Sequence, residues 1–179
     1  DPDSARFCLT LAEAPLPEPA GLAVTLSRFR RPTPESAPTD AKAACLYPNN
    51  GRALREARRA GFDNAVLLDA LGNVAELATA NIWLVRDGEV ATPVPNGCFL
   101  DGITKQRVGR LLADDGHAVR ERRVTWNELE TADEVFATGN YGKVLPVTRV
   151  GTRELPTGPV ARRARELYWE WMAGTPALV

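Results

Sequence analysis

The sequence predicts an α+β fold, with a mixed or antiparallel barrel-like sheet and helices outside it. Three observations carry that expectation. Strand and helix patterns are interleaved without the strict strand–helix–strand rhythm of a doubly wound sheet. An Asp87-Gly88 pair separates two apolar runs in ANIWLVRDGEVATP, the strongest short-range hairpin signal in the chain. At 179 residues, with 44% hydrophobic and 25% charged residues, the chain is long enough to bury a core and polar enough to be globular.

Taken in order, RFCLTLA near the start looks like a strand, and APLPEPAG, with three prolines in eight residues, reads as a linker. GLAVTLSRF (21–29) alternates apolar and polar residues and predicts a strand. RRPTPESAPTD is too rich in proline for regular structure. NNGRALREARRAG (49–61) predicts a helix ended by Gly61. NAVLLDALGNV is a strand entering a turn, followed by the hairpin. GITKQRVGRLLADDG (102–116) predicts an amphipathic helix with Val108, Leu111 and Leu112 on one face. AVRERRVT alternates as a strand does, and TWNELETADE opens on Thr125 with Glu128 three residues later, a capping box. EVFATGN and KVLPVTRVG predict strands, and GPVARRARELYWEWMAG (158–174) a terminal helix with Pro159 in its first turn.

The balance of 22 Lys+Arg against 23 Asp+Glu gives a net charge of −1 and no electrostatic case for nucleic acid or an acidic membrane. Short basic clusters such as SRFRR and REARR read as solvated faces. No apolar run reaches the length of a membrane-spanning helix. Three widely spaced cysteines, Cys8, Cys45 and Cys98, and a single histidine argue against a disulfide framework and against a metal cluster, and make a reducing cytoplasm the expected setting. His117, in the turn DDGHAV, reads as a surface residue.

Four places carry possible chemistry. Lys42 lies among Ala41, Ala43, Ala44 and Cys45, with few carboxylates nearby in sequence; it reads either as a reactive amine or as a lysine whose stem lies along apolar surface. Glu76 sits between Ala75 and Leu77, either facing solvent on an edge strand or seeking a cationic partner in an apolar setting. Gly102-Ile103-Thr104 opens a helix whose first amides and Thr104 hydroxyl suit a phosphate, or else merely caps the helix. Gly139-Asn140 ends an apolar strand, where a ligand can approach the backbone or where the chain simply turns. In this order the four supply the parts of a pyridoxal phosphate site: an amine for a Schiff base, a carboxylate for the ring nitrogen, and two turns for a phosphate.

The stretches RRPTPESAPTDAKAACLY, REARRAGFDNAVLLDALGNVAELATANIWLV, TPVPNGCFLDGITKQRV and ELETADEVFATGNYGKVLPV resemble the class IV, fold-type IV pyridoxal phosphate aminotransferases. That family includes branched-chain and D-amino-acid aminotransferases and aminodeoxychorismate lyases. The resemblance runs from Ser27 to about Val150, about two thirds of the chain, and is nearest the branched-chain group. It implies the D-amino-acid aminotransferase-like fold, with residues 21–179 as the larger, C-terminal, cofactor-binding domain. Residues 1–20 are expected to be the end of a preceding domain and a linker, and the smaller N-terminal domain, which in the family supplies an arginine to the phosphate, is expected to be absent from this chain.

The resemblance also implies roles. Lys42 would be the Schiff-base lysine and proton shuttle, Tyr47 the partner of the cofactor's phenolic oxygen, and Glu76 the partner of the ring nitrogen. Gly102, Ile103 and Thr104 would receive the phosphate, joined by Gly139 and Asn140, and Asn140 and Tyr141 would lie beside the substrate carboxylate. The implied activity is amino transfer between a branched-chain-like amino acid and a 2-oxo acid, with a homodimer as the expected assembly and no metal. Within the same fold, an aminodeoxychorismate lyase, a D-amino-acid aminotransferase or an amine transaminase are alternatives, and outside it a non-catalytic binding module. Three departures stand out: Lys105 in place of an arginine, expected at the surface; Trp83 in place of a phenylalanine; and the turn Asn140-Tyr141-Gly142-Lys143, where the branched-chain pattern has smaller residues.

Overall fold

Asp87 and Gly88 both take positive φ, 50° and 80°, as a two-residue hairpin turn requires, and they join β4 (Asn81–Arg86) to β5 (Glu89–Pro93). The computed structural model describes Ser4 and residues 6–174. Around the hairpin are β1 (Leu22–Arg30), α1 (Tyr47–Arg59), β2 (Asn64–Leu68), β3 (Val74–Leu77), α2 (Ile103–Asp114), β6 (Ala118–Arg122), α3 (Trp126–Thr131), β7 (Glu134–Gly139), β8 (Lys143–Val150), β9 (Arg153–Glu154) and α4 (Pro159–Gly174), with a 3-10 turn over Ala44–Leu46. The strands form one sheet in the order β3-β2-β1-β8-β7-β4-β5-β6, with β9 paired to β8. The pairs β1–β2, β1–β8 and β5–β6 are parallel and the others antiparallel, so the sheet is mixed, as the sequence predicts.

The sheet curls. Its two ends meet where the Val74 amide of edge strand β3 donates to the Val124 carbonyl just beyond β6, at 2.8 Å. Alternation along each strand divides the core between the two faces. Val66, Leu68, Ile82, Leu84, Val135 and Ala137 fill the concave side together with Leu129 of α3. Trp83, Val85 and Phe136 point outward against α2 and α4. Ala65 and Leu67 meet Ala53 and Ala57, the small residues one turn apart on α1. Trp83 stacks on Phe136 with ring centroids 5.6 Å apart, and its indole N–H donates to Thr138 Oγ1 at 3.0 Å, so the larger ring brings its own polar partner.

Most of the predicted elements form with shifts of a residue or two at their ends, which fray by nature. The Thr125–Glu128 capping box is present in both directions. The strand expected in RFCLTLA is not: residues 6–20 carry no regular structure, and Phe7, Leu9 and Leu11 stand exposed. Alternation suits a strand, but a strand also needs a neighbour for its backbone groups, and no described strand pairs with this segment.

Helix α4 is fastened by a carboxylate from the sheet. Glu134, buried on β7, accepts hydrogen bonds from the Val160 and Ala161 amides at 3.2 and 3.0 Å, a charge-assisted cap on a helix N-terminus. Gly158 lies so close that a Cβ there would fall 1.7 Å from the Glu134 Cδ. Glu134→Ala is therefore expected to lower stability by about 2 kcal/mol. Urea unfolding measures it, and a loss below about 0.5 kcal/mol would show that solvent replaces the cap.

Candidate active site

The sheet curl brings the separated sequence stretches together at one end of the strands. The link between β3 and β4, residues 78–80, is the hub. Asn50 of α1 donates from Nδ2 to the Ala78 carbonyl at 3.0 Å and sets the first turn of the helix, with Tyr47, against this link. Gly139 at the end of β7 packs on Ala80, where a Cβ on the glycine would lie 3.5 Å from the Ala80 Cβ. Gly102, at the start of α2, packs on Asn81.

Glu76 is at the centre. It lies on edge strand β3, yet its side chain is only 13% exposed, because the loop after β1 and the loop before α2 cover it. Its Oε1 is 3.3 Å from Arg31 Nε, and its Oε2 accepts from Asn81 Nδ2 at a long 3.5 Å. Burial pushes its carboxyl up to about 7, against the opposing pull of the Arg31 and Lys42 charges. A carboxylate so placed is short of positive charge even with a guanidinium beside it.

Lys42 lies in the turn that ends the loop, exposed, and close enough for its charge to act on Glu76. The fold thus brings Glu76, distant in sequence, within electrostatic reach of Lys42. Tyr47, at the first position of α1, is 55% exposed. Helix α2 starts on Gly102 with no side-chain cap and no acidic residue in its first turn; Ile103 is exposed and Thr104 half-buried. Asp101, the nearest acid, is already held by Lys105 at 2.8 Å. The first amides of α2 thus form an electropositive, uncapped end. Asn140 and Tyr141 are exposed, and the Asn140 Oδ1 accepts from Lys143 Nζ at 3.0 Å across the turn.

Two expectations are overturned. Lys105 is not at the surface: its side chain is 1% exposed, with Nζ 2.8 Å from Asp101 Oδ1 and 2.5 Å from Glu121 Oε1. The helical repeat turns position 105 toward the sheet, and two carboxylates that arrive from α2's own entry and from β6 make burial of the charge tolerable. The SRFRR cluster is not wholly solvated either. Arg31 is buried, donating to the Cys98 carbonyl at 2.9 Å and to Asn50 Oδ1 at 3.0 Å as well as facing Glu76. Asn81 is marked in the sequence only as the asparagine near the end of a family-like stretch, with no role attached, and Arg31 does not stand out. The one available signal was a second arginine directly before a proline, where the chain must leave β1 extended.

With this geometry in hand, residues 1–150 match the amino-transferase class IV family. A probable branched-chain-amino-acid aminotransferase of Aquifex aeolicus (strain VF5) is 37% identical over 158 residues, 86% of this chain and 51% of its own length. An aminotransferase from Brucella abortus, solved bound to the co-factor PLP, superposes with a TM-score of 0.89 and 53% identity, over 91% of this chain and 58% of the other. A branched-chain aminotransferase from Thermoproteus uzoniensis, solved with norvaline, gives a TM-score of 0.86 at 32% identity, over 93% of this chain and 57% of the other. The chain spans about half the length of the curated relatives it matches.

Proposed function

The chain belongs to the class IV aminotransferases, and on that premise we propose that it carries the pyridoxal phosphate site of an enzyme that transfers an amino group from a branched-chain-like amino acid to a 2-oxo acid. The observation that carries the reading is Glu76: a largely buried carboxylate, raised to about 7, with an amine in electrostatic reach and an uncapped helix start two packing contacts away. The residues present fit the group. A carboxyl that burial holds near neutrality gains from a ring nitrogen that bears a proton, and the first amides of α2, with Asp101 already taken by Lys105, suit a phosphate.

When bound, pyridoxal phosphate supplies an electron-accepting ring for the electron pair of the amino acid's Cα–H bond. The chain's residues do the rest. Lys42 Nζ would hold the cofactor and would be the base that moves the Cα proton. Glu76 holds a proton at the ring nitrogen. The Ile103 and Thr104 amides and the Thr104 hydroxyl would bind the phosphate, together with Gly139 and Asn140. Tyr47 donates to the phenolic oxygen, and Asn140 and Tyr141 border the substrate carboxylate. Residues 21–179 make up the cofactor-binding domain, and a homodimer in the cytoplasm is part of the same reading. No helix among the described residues is long and apolar enough to cross a membrane.

The relatives' names support the branched-chain assignment. Half-reactions test it. L-leucine is expected to convert the visible band of the loaded protein, and D-alanine and aminodeoxychorismate are expected to leave it; conversion by either of those two and not by L-leucine would replace the substrate assignment. Thr104→Ala is expected to weaken pyridoxal phosphate by roughly 1.5–3 kcal/mol, about 10- to 150-fold in Kd, because one charge-assisted hydrogen bond goes and the helix amides stay. A spectroscopic titration reads this directly, and an unchanged Kd would remove Thr104 from the phosphate site.

A further inference from the structure

We propose that Asn81 is the positioning residue that sets the spacing between the Glu76 carboxylate and the anion-receiving start of α2. The proposal rests on the pyridoxal phosphate reading above. One planar amide touches both halves of the site. Nδ2 donates to the Leu100 carbonyl, two residues before Gly102, at 3.1 Å, and faces Glu76 Oε2 at 3.5 Å. Oδ1 lies directly over Gly102, where a Cβ would fall 2.2 Å from it. The glycine is thus required by the approach of Asn81, since its φ of −61° is open to any residue.

Asn81 is itself held. It is the first residue of β4, paired with Thr138 of β7, and is buried. A second tie grips the same turn from the other side, where buried Lys105 joins Asp101 to Glu121 of β6. Between the two, the start of α2 has little freedom to slide along the sheet. Of these two ties, the one made by Asn81 is the one that also reaches Glu76. A ligand that carries a ring nitrogen at one end and a phosphate at the other binds both halves at once only if their separation matches its own length. The amide meets the demands at this position because it donates to a carbonyl and a carboxylate at the same time. An aspartate would offer no donor there and would add a second negative charge beside Glu76.

The test compares pyridoxal phosphate with pyridoxal, which lacks the phosphate, in spectroscopic titrations of the full chain. The affinity ratio between the two reports how well the halves are coupled. Asn81→Ala is expected to lower that ratio at least tenfold while changing the pyridoxal Kd less than threefold. Gly102→Ala, which presses on Oδ1 without touching Glu76, is expected to lower the same ratio, and it covers the case in which the first variant does not fold. An equal loss for both ligands, the pattern of a merely structural residue, overturns the proposal, and so does an unchanged ratio in the folded variants. Wild-type protein that takes up neither ligand overturns the functional reading, and the proposal with it.

Discussion

Lys42→Ala is expected to abolish transamination and the visible band of the loaded protein, while stability changes by less than about 1 kcal/mol because the side chain is exposed. The chain has three lysines, and the other two are engaged. Lys105 is buried between Asp101 and Glu121, and Lys143 donates to Asn140. Only Lys42 combines an accessible amine with a place near Glu76. Borohydride reduction of the loaded wild-type protein, followed by peptide mass mapping, should find the label on Lys42. A label on Lys105 or Lys143 would reassign the reactive amine and the site around it.

Glu76→Gln is expected to slow the half-reaction on the order of a hundredfold or more while cofactor still binds, since an amide cannot stabilise a protonated ring nitrogen by charge. The same variant has a signature without cofactor. The folded-state pKa of Glu76 is raised from 4.5 to about 7, so between those values the folded chain holds a proton that the unfolded chain has released. Stability therefore falls as pH rises from about 4.5 to about 7, and the deficit, on the order of 3 kcal/mol, persists above that range. In the Gln variant this contribution is absent. Without cofactor, the variant should be more stable than wild type at pH 8, and the gap should close toward pH 4.5. Parallel unfolding curves at both pH values, or near wild-type turnover, would place Glu76 in ordinary solvent.

Arg31 qualifies both expectations in a definite direction. Its guanidinium already faces Glu76 and lowers the carboxyl, so the value of about 7 is what burial leaves after that opposition. A protonated ring nitrogen would add the second positive partner. The carboxylate would then sit between two cations, which favours its charged form across the neutral range.

Much of the framework was legible in the sequence because its signals are local. The Asp87-Gly88 turn, the Thr125–Glu128 capping box, the Gly61 stop after α1 and the alternation in β1 and β6 each depend on residues within a few positions of one another. The order of Lys42, Glu76, Gly102-Ile103-Thr104 and Gly139-Asn140 was likewise readable, and so was the family that it resembles. RFCLTLA shows the limit of such signals: its alternation is genuine, but a strand exists only where another strand receives its hydrogen bonds.

What the sequence determined by itself was the set of elements and the chemical parts they carry. The tertiary structure decided which of those parts are charged, buried or within reach of one another. Arg31 reads as one more surface arginine until the curl of the sheet brings it to Glu76 and to the Cys98 carbonyl, 67 residues away along the chain. Lys105 reads as a solvated helix residue until β6 places Glu121 over it. Asn81 becomes a strut only because the loop before α2 folds back so that Leu100 and Gly102 lie on its amide. Propensity, capping and turn chemistry act over a few residues, whereas desolvation and ion pairing depend on which distant groups share a small, water-poor volume, and closure of the sheet creates that volume.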